Sequence, residues 1–136
     1  MSDESTPATF LAVGHCGPDT WMLKAAVERA LGDDVSFEAS GEEKALLDRL
    51  ESTTDPVVLL VNRKLDGWFE ATDGIELLSA VLATGRPHTA TLLISDLPDA
   101  RAAAEAAGGL PGFGKRALQD AATLDAIRNA GDRARG

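Results

Sequence analysis

The residue types able to do chemistry are sparse in this chain. They gather first at Gly14-His15-Cys16-Gly17, where the apolar run Thr9–Val13 breaks off. A thiol near a helix N-terminus with an imidazole beside it has two ingredients of an activated nucleophile. The surrounding pattern argues against that chemistry. No CxxC is present, and Met22 stands where the Cys-x5-Arg loop of a phosphate-gripping phosphatase would need its arginine. Gly14 and Gly17 lack GxGxxG spacing, and the turn has no Ser/Thr-rich phosphate cradle. His15, Cys16 and Asp19 are too few to assure a metal site. Cys16 reads best as a structural residue. A different chemistry is suggested by Arg63, Lys64 and Lys115, three cations in an otherwise acidic chain that could contact a small anion.

Bulk properties narrow the field. The 136 residues suit one domain with a real core and no staples. With 22 acidic against 13 basic side chains, the formal charge is −9, which opposes binding to nucleic acid or anionic lipid. One cysteine permits no internal disulfide and fits a reducing cytoplasm. The opening MSDESTP is too polar for a signal peptide, and VVLLV, the longest apolar run, falls far short of a membrane span. No cofactor is implied.

The elements that must position these residues alternate. Thr9–Val13 reads as a strand, and Gly17-Pro18-Asp19 opens a helix whose buried face holds Leu23, Ala26, Val27, Ala30 and Leu31. Trp21 on that helix reads as a partly buried packing residue. Val35–Ala39 alternates like an edge strand, and Ser40-Gly41-Glu42-Glu43 has capping-box spacing ahead of Leu46, Leu47 and Leu50. Val57–Val61 is apolar without alternation, as in a central parallel strand. Asp73-Gly74-Ile75-Glu76 starts a third helix, with Leu77, Leu78, Val81 and Leu82 to bury. Thr91–Ile94, the alanine-rich Pro98–Ala107, Leu110–Phe113 and Asp120–Ala130 complete five βα units, the last helix stopping at Gly131. The expected fold is α/β, a flavodoxin-like (βα)5 doubly wound parallel sheet of order 2-1-3-4-5. Its body spans residues 9–131, with loose tails at 1–8 and 132–136. In that order strands 1 and 3 meet at the topological switch point, which puts Gly14-His15 beside Asn62 where a ligand should sit.

From about residue 9 to 130 the chain resembles the receiver domain of two-component response regulators. The likeness lies in "VVLLVNRKLDG", in "DGIELL" (73–78), in "LLIS" (92–95) and in "AGGLPGFGK" (107–115). The resemblance implies that the family's Mg²⁺-binding acidic pair falls on Gly14 and His15, and its phosphoaccepting aspartate on Asn62. Its signalling hydroxyl falls on Ser95 and its lysine on Lys115. Asp66 and Arg116 replace two customary prolines, and Gly112, with Phe113 next to it, takes the aromatic switch position. About four residues, around Trp68–Ala71, are extra.

Physically, metal site and nucleophile are lost together. Mg²⁺ needs oxygen ligands, usually with a carboxylate or two, and an amide forms no acyl phosphate. Two readings of Asn62 stay open: a strand-end residue bonded to nearby backbone, or a mimic of a fixed signalling state. Ser95 and Lys115 are either pocket architecture or a cap and a surface group. Trp68 and Phe69 either fold back over helix 3 or the pocket, or anchor a partner. The expectation is a phosphorylation-independent, stand-alone interaction module of bacterial-type signalling, not an enzyme. Its partner is another signalling protein, and the resemblance adds a homodimer through helix 4, strand 5 and helix 5, where Ala100–Ala107 is smooth. The alternative is a switch that binds a small anion or metabolite through Arg63, Lys64 and Lys115 in the altered pocket.

Overall fold

The computed structural model describes residues 6–136. Five parallel strands form one sheet in the order β2-β1-β3-β4-β5: β1 Thr9–Val13, β2 Ser36–Ser40, β3 Val57–Asn62, β4 Thr89–Ile94 and β5 Leu110–Phe113. The helices between them are α1 Gly17–Leu31, α2 Glu43–Ser52, α3 Gly74–Ala83, α4 Pro98–Ala106 and α5 Ala121–Arg135. This is the flavodoxin-like doubly wound order, with β1 and β3 flanking the switch point.

Alternate residues of the central strands feed two cores. Phe10, Ala12, Val58, Leu60, Leu92 and Ile94 point to the α1/α5 side, where Leu23, Val27, Ile127 and Ala130 meet them. Leu11, Val13, Leu59 and Val61 face the other way, onto Leu46, Leu77 and Val81. Coverage on both faces is why VVLLV shows no alternation. The edge strand β2 is largely exposed, as its alternation implies.

Several expectations need correction. Ala8 is buried in the α1/α5 core, so the folded unit starts before residue 9, while residues 1–5 of the expected tail lie outside the described region. At the other end α5 runs through Gly131 to Arg135, and Ala134 is fully buried, so 132–135 is helix and no tail. A glycine in mid-helix is tolerated here because Gly131 lies against the Phe10 ring. The capping box does not form: Ser40 ends β2, Glu42 is the N-cap without a side-chain bond, and Glu43 instead accepts from the Ala71 N–H. By contrast, Asp73 does cap α3, its carboxylate accepting from the Glu76 N–H at 2.9 Å. Leu31 and Trp21 are exposed, Trp21 by 76%. In β5 three residue steps answer two on β4, a bulge that contains Gly112.

Candidate functional site: the carboxyl end of β1, β3 and β4

Strand register brings the expected site residues together. Val13 pairs with Val61 and Asn62 with Ile94, so Gly14, Asn62 and Ser95 end neighbouring strands at one level. Lys115 begins a short 3-10 turn two residues beyond Phe113, which pairs with Ile94.

Asn62 is bonded to backbone. Its Nδ2 donates to the Gly14 carbonyl at 2.9 Å and to the Lys64 carbonyl at 2.6 Å. The Gly14 carbonyl also accepts from the Asp66 N–H at 2.8 Å. One amide side chain thereby ties the β1–α1 turn to the β3–α3 loop. An aspartate could not do this, because both partners are acceptors.

Gly14 adopts φ +73°, and a Cβ added there would stand 2.7 Å from Leu65 Cδ2 and 3.1 Å from Leu65 Cα. Leu65 thus occupies the space into which a side chain at 14 would project. The glycine is required by backbone conformation and by this close approach together.

His15 turns inward. Its Nε2–H donates to the Leu60 carbonyl at 2.9 Å, which fixes the tautomer, and Nδ1 is buried without a hydrogen-bond partner among the described residues. Protonation would put a second N–H where nothing accepts it. Burial accordingly pushes the imidazole down to about 4, helped by the Lys115 charge and opposed by the Leu60 bond.

Lys115 pairs with Asp19 on α1 at 2.7 Å. That hydrogen bond holds the Asp19 carboxyl below the usual range. Ser95 is buried, and its hydroxyl accepts from the Leu97 N–H at 3.2 Å, which makes it a local turn residue ahead of α4. Asp96 accepts from the Arg116 N–H at 3.0 Å, holding the 3-10 turn against the β4–α4 loop. Phe113 is buried in the α1/α5 core.

This donor set does not fit Mg²⁺. Position 14 has no side chain and no room for one, His15 faces a carbonyl, and Asn62 presents amide N–H groups to two carbonyls. A hard cation would find no carboxylate from the three positions that carry it in the resembling family. Of the three anion-contact candidates, Lys115 is paired with Asp19, Arg63 is half-buried and Lys64 is exposed.

The inserted loop divides its two aromatics. Phe69, with Leu65 and Ala71, packs on the core between β3, α2 and α3. Trp68 is 82% exposed, so only Phe69 folds back. The unforeseen features are Leu65 over Gly14 and the Asp19–Lys115 pair. Both join residues distant in sequence, and no local spacing signals them.

No family model matches this sequence, and no curated protein matches it. Solved structures do. A LuxR-family DNA-binding response regulator from Staphylococcus aureus superposes with a TM-score of 0.68 at 8% identity, over 91% of this chain and 98% of that one. The signal receiver domain of a DNA-binding response regulator (merR) from Colwellia psychrerythraea gives 0.65 at 13% identity, over 90% and 96%. The receiver domain of the putative response regulator NarL from Mycobacterium tuberculosis gives 0.58 at 24% identity, over 95% and 98%. The fold is that of these receiver domains. Among the described residues no helix is long and apolar enough to cross a membrane.

Proposed function

We propose that this chain is a receiver-type module of two-component signalling that no longer takes a phosphoryl group and acts by binding a signalling protein. The fold supports the module. The observation that carries the rest is the Asn62 amide, which donates to the carbonyls of Gly14 and Lys64 at the phosphoacceptor position. The links that a phosphoryl group and Mg²⁺ would make are replaced by contacts within the chain: Asn62 to the two loops, Leu65 over Gly14, and Lys115 on Asp19. Such a site is set in one arrangement and has no chemistry to perform. It is a scaffold, and its output lies in what its surface binds.

Incubation with acetyl phosphate and Mg²⁺, followed by intact-mass measurement, tests this. The expected mass is unchanged. A stoichiometric, base-labile phosphoryl adduct overturns the proposal.

A further inference from the structure

Trp68 combines an exposed side chain with a hydrogen-bonded backbone. Its N–H donates to the Gly41 carbonyl at 2.8 Å, and its own carbonyl accepts from the Glu43 N–H at 2.9 Å. These bonds make an isolated parallel bridge between Glu42 and Trp68. Gly67, at φ +127°, permits the approach, since any Cβ there would run into the Gly41 carbonyl. Phe69 and Ala71 anchor the loop from the other side. The loop is held through its neighbours while the indole stands in water, the disposition of a binding anchor.

A cleft of about 780 Å³ opens between this loop and the start of α2. Three carboxylates, Glu42, Glu43 and Glu70, and one ammonium, Lys44, line it with Trp68 and Phe69. Glu43 is engaged by the Ala71 N–H and Lys44 by Asp48 at 2.9 Å. The carboxylates of Glu42 and Glu70 have no hydrogen-bond or ion-pair partner among the described residues. An exposed indole face between free carboxylates is complementary to a cation carried on a flat or slender stem.

We infer that this cleft docks a basic segment of a partner protein, with an arginine laid on the Trp68 indole and its charge answered by Glu42 and Glu70. The inference rests on the reading of the chain as an interaction module and names the chemistry of its partner. Trp21, the other exposed tryptophan, is an internal control: the one carboxylate lining its cleft, Glu38, is already paired with Arg49.

The test is an NMR titration of the full chain with a short blocked peptide bearing two arginines, and with its glutamate counterpart. The two indole N–H signals are assigned through Trp21→Phe. The arginine peptide should shift the Trp68 indole and the amides of Gly67 and Glu42 saturably, with little change at Trp21. The glutamate peptide should shift none of them. Trp68→Leu, and separately Glu42→Gln with Glu70→Gln, should weaken binding by about threefold or more while signal dispersion is retained. A silent Trp68, equal responses at both indoles, or equal binding of the glutamate peptide overturns the inference. Those results leave the module with a different docking surface, whereas a phosphoryl adduct removes its independence of phosphorylation without altering the Trp68 response.

Discussion

At the carboxyl ends of β1 and β3, Asn62 and His15 each make directed hydrogen bonds to backbone carbonyls. Asn62 faces two carbonyl oxygens. Asn62→Asp would exchange a donor for an acceptor at both, so it should cost about 1–3 kcal/mol of stability without creating a site that can be phosphorylated. Urea unfolding and an acetyl phosphate incubation with mass readout check the two halves, and ready phosphorylation of the variant would show that another carboxylate holds the metal. The smallest repair suggested by the sequence adds Gly14→Asp and His15→Asp, but position 14 is closed by Leu65 and its positive φ. His15 leads to a pH prediction. Its folded value is depressed to about 4 from 6.5, so the unfolded chain takes up the proton first as the solution is acidified. Above the unfolded value His15 contributes no pH dependence. Between about 6.5 and about 4 it removes stability progressively, by up to about 3 kcal/mol, and below that its contribution is flat. His15→Gln keeps a donor for the Leu60 carbonyl and does not titrate. Unfolding measured from about pH 7.5 to about pH 4.5 should therefore fall less steeply in the variant than in the parent. Parallel slopes would mean that the imidazole charges freely in the fold.

At the scale of elements, the opposite end of the sheet is braced by one side chain. Arg86 donates to the carbonyls of Leu50, Thr53 and Asp55 at 2.8, 2.7 and 2.9 Å, to those of Pro87 and His88, and to the Thr89 hydroxyl. It ties the end of α2 and the entry to β3 to the start of β4. His88, at φ +55°, adds a ring bond to the Ala134 carbonyl and so fixes the last turn of α5. A lysine has the charge but not the planar fork. Arg86→Lys should lower unfolding free energy by about 2 kcal/mol or more, read from a denaturant midpoint at unchanged slope, and an unshifted midpoint would show that water replaces the guanidinium without loss. Elements set by local signals are legible in the sequence, and those set by distant contacts are not. Strand β3 and helix α3 follow from a burial pattern and a cap that act within a few residues, and their reading holds. The end of α5 does not, because Gly131 is a helix stop by local propensity and is overridden by packing on Phe10 and by the His88 bond. The failed capping box has the same cause: Glu43 is taken by Ala71 from the inserted loop. In the site, residue types at 14, 15 and 62 argue against Mg²⁺ from sequence alone, but Leu65 over Gly14 and Lys115 on Asp19 are tertiary contacts without a local signature.

For the molecule as a whole, the surface carries an excess of carboxylates, 22 against 13 cations. Salt acts on this in two opposing ways. It weakens attractive pairs such as Arg49–Glu38 at 2.6 Å and Lys44–Asp48 at 2.9 Å, which are exposed enough for each to contribute little. It also screens the repulsion among the carboxylates left over, which the compact state brings closer together than the unfolded chain does. At a net charge of −9 the second effect reaches the whole surface, while the first is confined to a few side chains. The Debye length falls from about 10 Å at about 0.1 M salt to about 3 Å at about 1 M, enough to silence repulsion between neighbouring elements. The melting temperature should therefore rise with KCl across that range. Choline chloride, a salt with a bulky cation, should give a similar rise, since screening does not require a specific site. A rise seen only with a divalent cation would instead reveal a bound metal, and a fall with KCl would show that the ion pairs outweigh the repulsion. The arginine-peptide contact at Trp68 should move oppositely, weakening with salt while the fold strengthens, because the attraction there is between molecules and the repulsion relieved is within one.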